Sequence, residues 1–86
     1  MTSDPTGKRI PITVPDFGAG DEKIRISAWL VDVGQTVIAG DNVLEVLVPG
    51  ITFDIAATQS GELVEATKAV DEFVVANEIV GWIAVE

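Results

Sequence analysis

The sequence predicts an all-β domain, a sandwich or barrel of short strands. Three observations carry this: apolar and polar residues alternate with period two, strand-length apolar segments are broken at regular intervals by Gly, Asp, Asn and Pro, and the chain repeats itself. The segments are, in order, Ile10 to Val14, Ile24 to Leu30, Val37 to Ala39, Val43 to Val48, Ile51 to Ala56, Glu62 to Ala66, Phe73 to Val75 and Ile79 to Val85. In the second, Ile24, Ile26, Ala28 and Leu30 fall on one face and Arg25, Ser27 and Trp29 on the other. β-Branched residues dominate, and many short strands with frequent turns make a sandwich or barrel. Val64 to Glu72 is rich in helix formers, but no window carries a capped helical stripe.

A shift of 37 positions carries Val33, Val37, Ala39, Val43 and Val46 onto Val70, Val74, Ala76, Val80 and Ile83, without a gap. Gly34 and Gly40 then fall on Asp71 and Asn77, residues also suited to tight turns. The expectation is two similar halves, each supplying one sheet, that bury a core neither could bury alone.

Composition bounds the rest. The 86 residues make one domain, with residues 1–9 expected as a flexible leader and 10–86 as the folded unit. The first nine residues lack the apolar segment of a signal peptide, and no apolar run approaches the ~20 residues of a bilayer span. A cytoplasmic chain is predicted. With neither cysteine nor histidine, disulfides, thiolate nucleophiles, imidazole bases and nearly every soft-metal site are removed. Fourteen acidic residues against five basic ones give a formal charge of −9, which repels nucleic acid and anionic membrane. That charge keeps the chain soluble, or steers it toward a basic partner surface.

Four segments carry a resemblance. Ile12-Thr-Val-Pro-Asp-Phe-Gly18, Trp29-Leu-Val-Asp-Val-Gly-Gln-Thr-Val37, Ala39-Gly-Asp-Asn-Val-Leu-Glu-Val46 and Ser60-Gly61-Glu-Leu63 resemble the lipoyl domains of 2-oxo acid dehydrogenase acyltransferase components and the related biotinyl domains. The resemblance runs from about Ile10 to the C-terminus. It implies a flattened barrel of two four-stranded antiparallel sheets related by a pseudo-twofold axis. It also implies an acceptor lysine at a hairpin tip, within an Asp-Lys-Ala triplet. Counting forward from Val46 or back from Gly61 reaches Leu47-Val-Pro-Gly-Ile51, with Gly50 in the lysine's place and Pro49 in the aspartate's. Lipoate and biotin are joined through an amide to a lysine amine, and glycine has no side chain to acylate. Val48-Pro49-Gly50-Ile51 suits a type II turn, with Pro presetting φ and Gly tolerating the positive φ that follows.

The expected function is therefore a non-catalytic interaction or assembly module with no cofactor and a protein partner. Its candidate surface is Leu47, Val48, Pro49, Gly50 and Ile51, where apolar residues replace the polar ones the resemblance implies. Burying two such side chains contributes roughly 3–6 kcal/mol, against an association cost of about 4–15 kcal/mol. The tip anchors a larger contact, or packs on the neighbouring loop, Phe17 to Lys23. The alternative is a lipoate or biotin carrier of a dehydrogenase or carboxylase complex using a displaced lysine. Lys8 lies in the leader and Lys68 on a distant loop, which leaves Lys23. Ser60 has the wrong setting for a phosphopantetheine arm. The apolar final segment, Ile79 to Val85, admits a homodimer.

Enzymatic and metal readings fare worse. Asp21-Glu22 and Asp71-Glu72 are adjacent pairs whose side chains diverge, with no calcium-loop pattern around them, so neither a catalytic nor a metal site is expected. Gly18-Ala-Gly20 is too short for a phosphate loop. Gly18, Gly20, Gly34, Gly40 and Gly61 are expected at turns, and Trp29 and Trp82 as covers for the sheet edges.

Overall fold

The computed structural model describes residues 8–18 and 23–85. Eight strands follow in order: β1 (Arg9–Thr13), β2 (Ile24–Trp29), β3 (Thr36–Val37), β4 (Asn42–Val48), β5 (Ile51–Ala56), β6 (Gly61–Ala66), β7 (Phe73–Val74) and β8 (Ile79–Val85). Each expected segment became a strand, including Glu62 to Ala66, whose helix formers sit in β6. Among the described residues there is no helix, and so none long and apolar enough to cross a membrane. Of the expected leader, residues 1–7 lie outside the described residues; Arg9 already opens β1, and the Lys8 carbonyl accepts a hydrogen bond from the Val85 N–H at 2.9 Å.

The strands form two antiparallel four-stranded sheets, ordered β1-β8-β6-β3 and β5-β4-β2-β7. The repeat is visible in the hydrogen bonds. Gly34 and its counterpart Asp71 have φ of 97° and 75°; Gly40 and Asn77 have 97° and 70°. The Asp32 N–H donates to the Gln35 side chain at 3.1 Å, as that of Ala69 donates to Glu72 at 2.9 Å. The Ile38 N–H donates to Asp41 at 3.0 Å, as that of Val75 donates to Glu78 at 2.9 Å. One correction concerns how the halves combine. They do not each supply one sheet: β1 and β3 join β8 and β6, and β5 and β7 join β4 and β2, so each half gives two strands to each sheet, the two-residue strands β3 and β7 among them. The tight left-handed turns flanking these two-residue strands send the chain across the sandwich, and the exchange ties the sheets together.

The core is aliphatic, with Ile26, Val46, Leu63 and Ile83 all but fully buried and no buried polar side chain among the described residues. Strand alternation fails at one informative place. Ile24 and Ile26 point inward, but Leu30 is 46% exposed and Trp29 packs against the core. A β-bulge between Ile26 and Ala28, opposite Glu45, shifts the side-chain period. The corresponding bulge lies between Leu63 and Glu65. Trp29 thus closes the gap between the sheets rather than an edge, with its indole N–H donating to the Lys68 carbonyl at 2.7 Å. Trp82 also departs from expectation: it sits on β8, an inner strand, level with Pro11 and Glu65. Gly61 is no turn residue but the first of β6, where a Cβ would collide with the Ala84 carbonyl oxygen.

Candidate functional site

The β4–β5 hairpin is the site the sequence singles out. Val48 pairs with Ile51, leaving Pro49 and Gly50 as a two-residue loop. Gly50 has φ of 84° and Pro49 is not in the positive-φ region, which is the type II pattern expected from these residues. A Cβ at Gly50 would meet nothing within 4 Å, so the position is open to solvent and held only by its backbone conformation.

The five tip residues do not form one apolar surface. Val48 is 6% exposed and belongs to the core, because β4 alternates Val46 and Val48 inward. Leu47 is half-buried on the outer face of its sheet, Pro49 and Gly50 are exposed, and Ile51 is 52% exposed. Among the described residues, Phe53 of β5 contacts the neighbouring loop, its ring stacking on Phe17 at 4.2 Å and 15°. The remainder of that loop up to Glu22, with the Asp21-Glu22 pair, lies outside the described residues.

The lysines separate clearly. The β2–β4 register, with Arg25 opposite Leu47, carries Lys23 level with Pro49 beside the tip. Lys23 is exposed, and its ammonium lies 5.1 Å from the centre of the Phe73 ring, a cation–π arrangement. Lys68 is at the other end of β2, held by Glu78 at 3.1 Å and Glu72 at 3.8 Å. Glu78 titrates below the usual carboxylate range, first because its carboxylate accepts the Val75 backbone N–H and then because Lys68 stands beside it; slight burial opposes both. Asp71 and Glu72 do diverge: Asp71 occupies a left-handed turn, while Glu72 turns back to the Ala69 N–H. The Ser60 hydroxyl accepts the Ala39 N–H at 2.9 Å and fastens two loops.

Sequence reasoning missed an outward-facing row across the second sheet. Thr52, Leu47, Arg25 and Phe73 stand side by side on β5, β4, β2 and β7, next to the tip. The signal was present in the repeat: the shift that superposes the apolar core sets Thr36 against Phe73 and Arg25 against Glu62, mismatches on the outer face.

The β8 strand is enclosed between β1 and β6, with Val80 and Ile83 buried in the core, so it presents no edge to a second copy. Residues of the outer strands β1 and β5, Pro11, Ile12, Thr13, Asp54, Ile55 and Ala56, help line a groove of about 300 Å³ between the two sheets.

Comparison with known proteins agrees with this architecture. Residues 10–83 match the family model described as "Biotin-requiring enzyme". Among solved structures, the lipoyl domain of the 2-oxoglutarate dehydrogenase complex from Azotobacter vinelandii superposes with a TM-score of 0.72 at 19% identity, over 90% of this chain and 96% of that one. The urea carboxylase of Kluyveromyces lactis gives 0.75 at 19% identity over 96% of this chain, which spans only 7% of that protein's length. No curated protein matches the sequence.

Proposed function

This chain belongs to the biotin/lipoyl attachment family, and we propose that within it the chain is a non-catalytic module, unmodified at its hairpin tip, that binds or assembles with another protein. The observation that carries the reading is Gly50. It stands at the bend where the resemblance expects the acceptor lysine, and it has no amine. Its φ of 84° favours glycine, so the turn is built around the residue that is there. A lysine lost by decay would leave a turn without such fit.

The tip cannot hold a partner alone. Ile51 is the one large apolar side chain of the five that is mostly exposed, and burying it contributes roughly 1.5–3 kcal/mol, below the 4–15 kcal/mol or so that association costs. A partner must therefore engage more of the surface around the tip. The compartment on this reading is the cytoplasm.

One observation favours a second reading, a carrier with a displaced attachment point: Lys23 lies level with the tip. Against it, Lys23 sits on strand-entry backbone rather than in the turn, and its ammonium rests on Phe73. Co-expression with a lipoate ligase and, separately, a biotin ligase decides between them. The intact mass of the wild type should equal that of the bare polypeptide; an added group that disappears in Lys23→Arg would establish the second reading.

A further inference from the structure

The pseudo-twofold relation separates what the barrel requires from what it does not. The outward row Thr52, Leu47, Arg25 and Phe73 has a counterpart on the first sheet, made of Arg9, Ala84, Glu62 and Thr36 in the same registers. Backbone and pairing are alike, and the fold stands there with alanine, glutamate and threonine. Leu47, Arg25 and Phe73 are thus not needed for the sheet to form. Yet Phe73 is 55% exposed, in a position where the other half carries a polar residue.

Charge singles out the same place. Of five basic residues in a chain of net charge −9, two, Lys23 and Arg25, flank this aromatic ring. Among the described residues neither forms an ion pair, and Glu72, which precedes Phe73, is drawn toward Lys68 and the Ala69 N–H instead. The geometry points to this row as a docking surface for a segment of a partner protein that sets a carboxylate beside an apolar or aromatic side chain. The carboxylate meets Arg25 and Lys23, and the apolar group lies on Phe73 and Leu47. A second copy is a poorer occupant, because two whole chains of charge −9 repel, whereas a short segment brings its carboxylate only to the two local cations. The inference deepens the interaction reading above and rests on it.

The test is an amide-resolved NMR titration of the full chain with an acetylated peptide alternating Asp with Phe and Leu, and with a control peptide carrying Lys for Asp. The acidic peptide should move the amides of Lys23, Arg25, Leu47, Thr52 and Phe73, and the control should not. Arg25→Glu/Phe73→Thr installs the counterpart residues; it should keep the wild-type spectrum elsewhere and bind at least about fivefold more weakly, near 1 kcal/mol. Equal binding of both peptides, shifts elsewhere, or no shifts at millimolar peptide overturn the proposal. So does broadening of these amides with the chain's own concentration, which would make a second copy the occupant. The intact mass of the same sample reports separately on attachment: a heavier chain that still docks the acidic peptide defeats the unmodified reading, whereas a bare chain that fails to dock defeats only this surface.

Discussion

The two ends of this barrel are built on one plan and finished differently. At one end the β4–β5 hairpin closes over Pro49 and Gly50, with Leu47, Arg25 and Phe73 facing outward beside it. At the other, the corresponding outward residues are Ala84, Glu62 and Thr36. Where the halves agree, in turns, bulges and buried aliphatics, the agreement marks what closes the fold. Where they differ on the surface, folding does not explain the difference. A third kind of difference compensates within the core. Trp29 stands where the other half has Ala66, and it lies over Gly81, which stands where the first half has Leu44. A large residue in one place is matched by a small one in the other.

The largest losses are expected in the core. Ile26 and Leu63 are counterparts, both fully buried. Ile26→Ala and Leu63→Ala should each cost about 2–5 kcal/mol in urea unfolding and agree within about 1 kcal/mol. A large gap between them would mean that the halves do not share the core equally. Next comes Gly61→Ala. Its Cβ would strike backbone at Ala84, which cannot swing aside, so a loss of about 1–3 kcal/mol is expected, although the counterpart is the buried Ile24.

Smaller effects are expected at the turns and at the surface. Asp71 and Gly34 share a left-handed turn, and only one of them is glycine. Asp71→Gly should be neutral or stabilising by up to about 1 kcal/mol, whereas Gly34→Ala should destabilise by about 1 kcal/mol. Thermal melts of the two variants should move in opposite senses or not at all for Asp71→Gly. The smallest effect is the acid response of Glu78. Its folded pKa is lowered, so its contribution is present at neutral pH and is lost as pH falls below the usual glutamate range through the folded value. Glu78→Gln should therefore be less stable than wild type near neutrality, and the gap should narrow in acid when both are followed by denaturant unfolding.

Much of the fold was legible because β-branched residues alternating between turn formers leave few alternatives. The repeat predicted tight turns at Gly34, Gly40, Asp71 and Asn77, and all four residues have left-handed backbone. What was hidden depends on pairing. The bulge near Ser27 that turns Trp29 inward and Leu30 outward exists only because Glu45 faces two residues across the ladder. The exchange of β3 and β7 depends on where a two-residue strand finds a partner. At the tip, Gly50 was readable, but the burial of Val48 was not, since period two leaves the choice of face to the register. The Arg25 and Phe73 surface was hidden for another reason: a repeat draws the eye to its matches, and this surface consists of its mismatches.

The proposed role requires a hairpin tip that bears no attached group. Intact-mass spectrometry of the chain purified from its own cells tests this most directly. The prediction is the mass of the unmodified polypeptide; an addition corresponding to a lipoyl or biotinyl group, on Lys23 or any other residue, would contradict it.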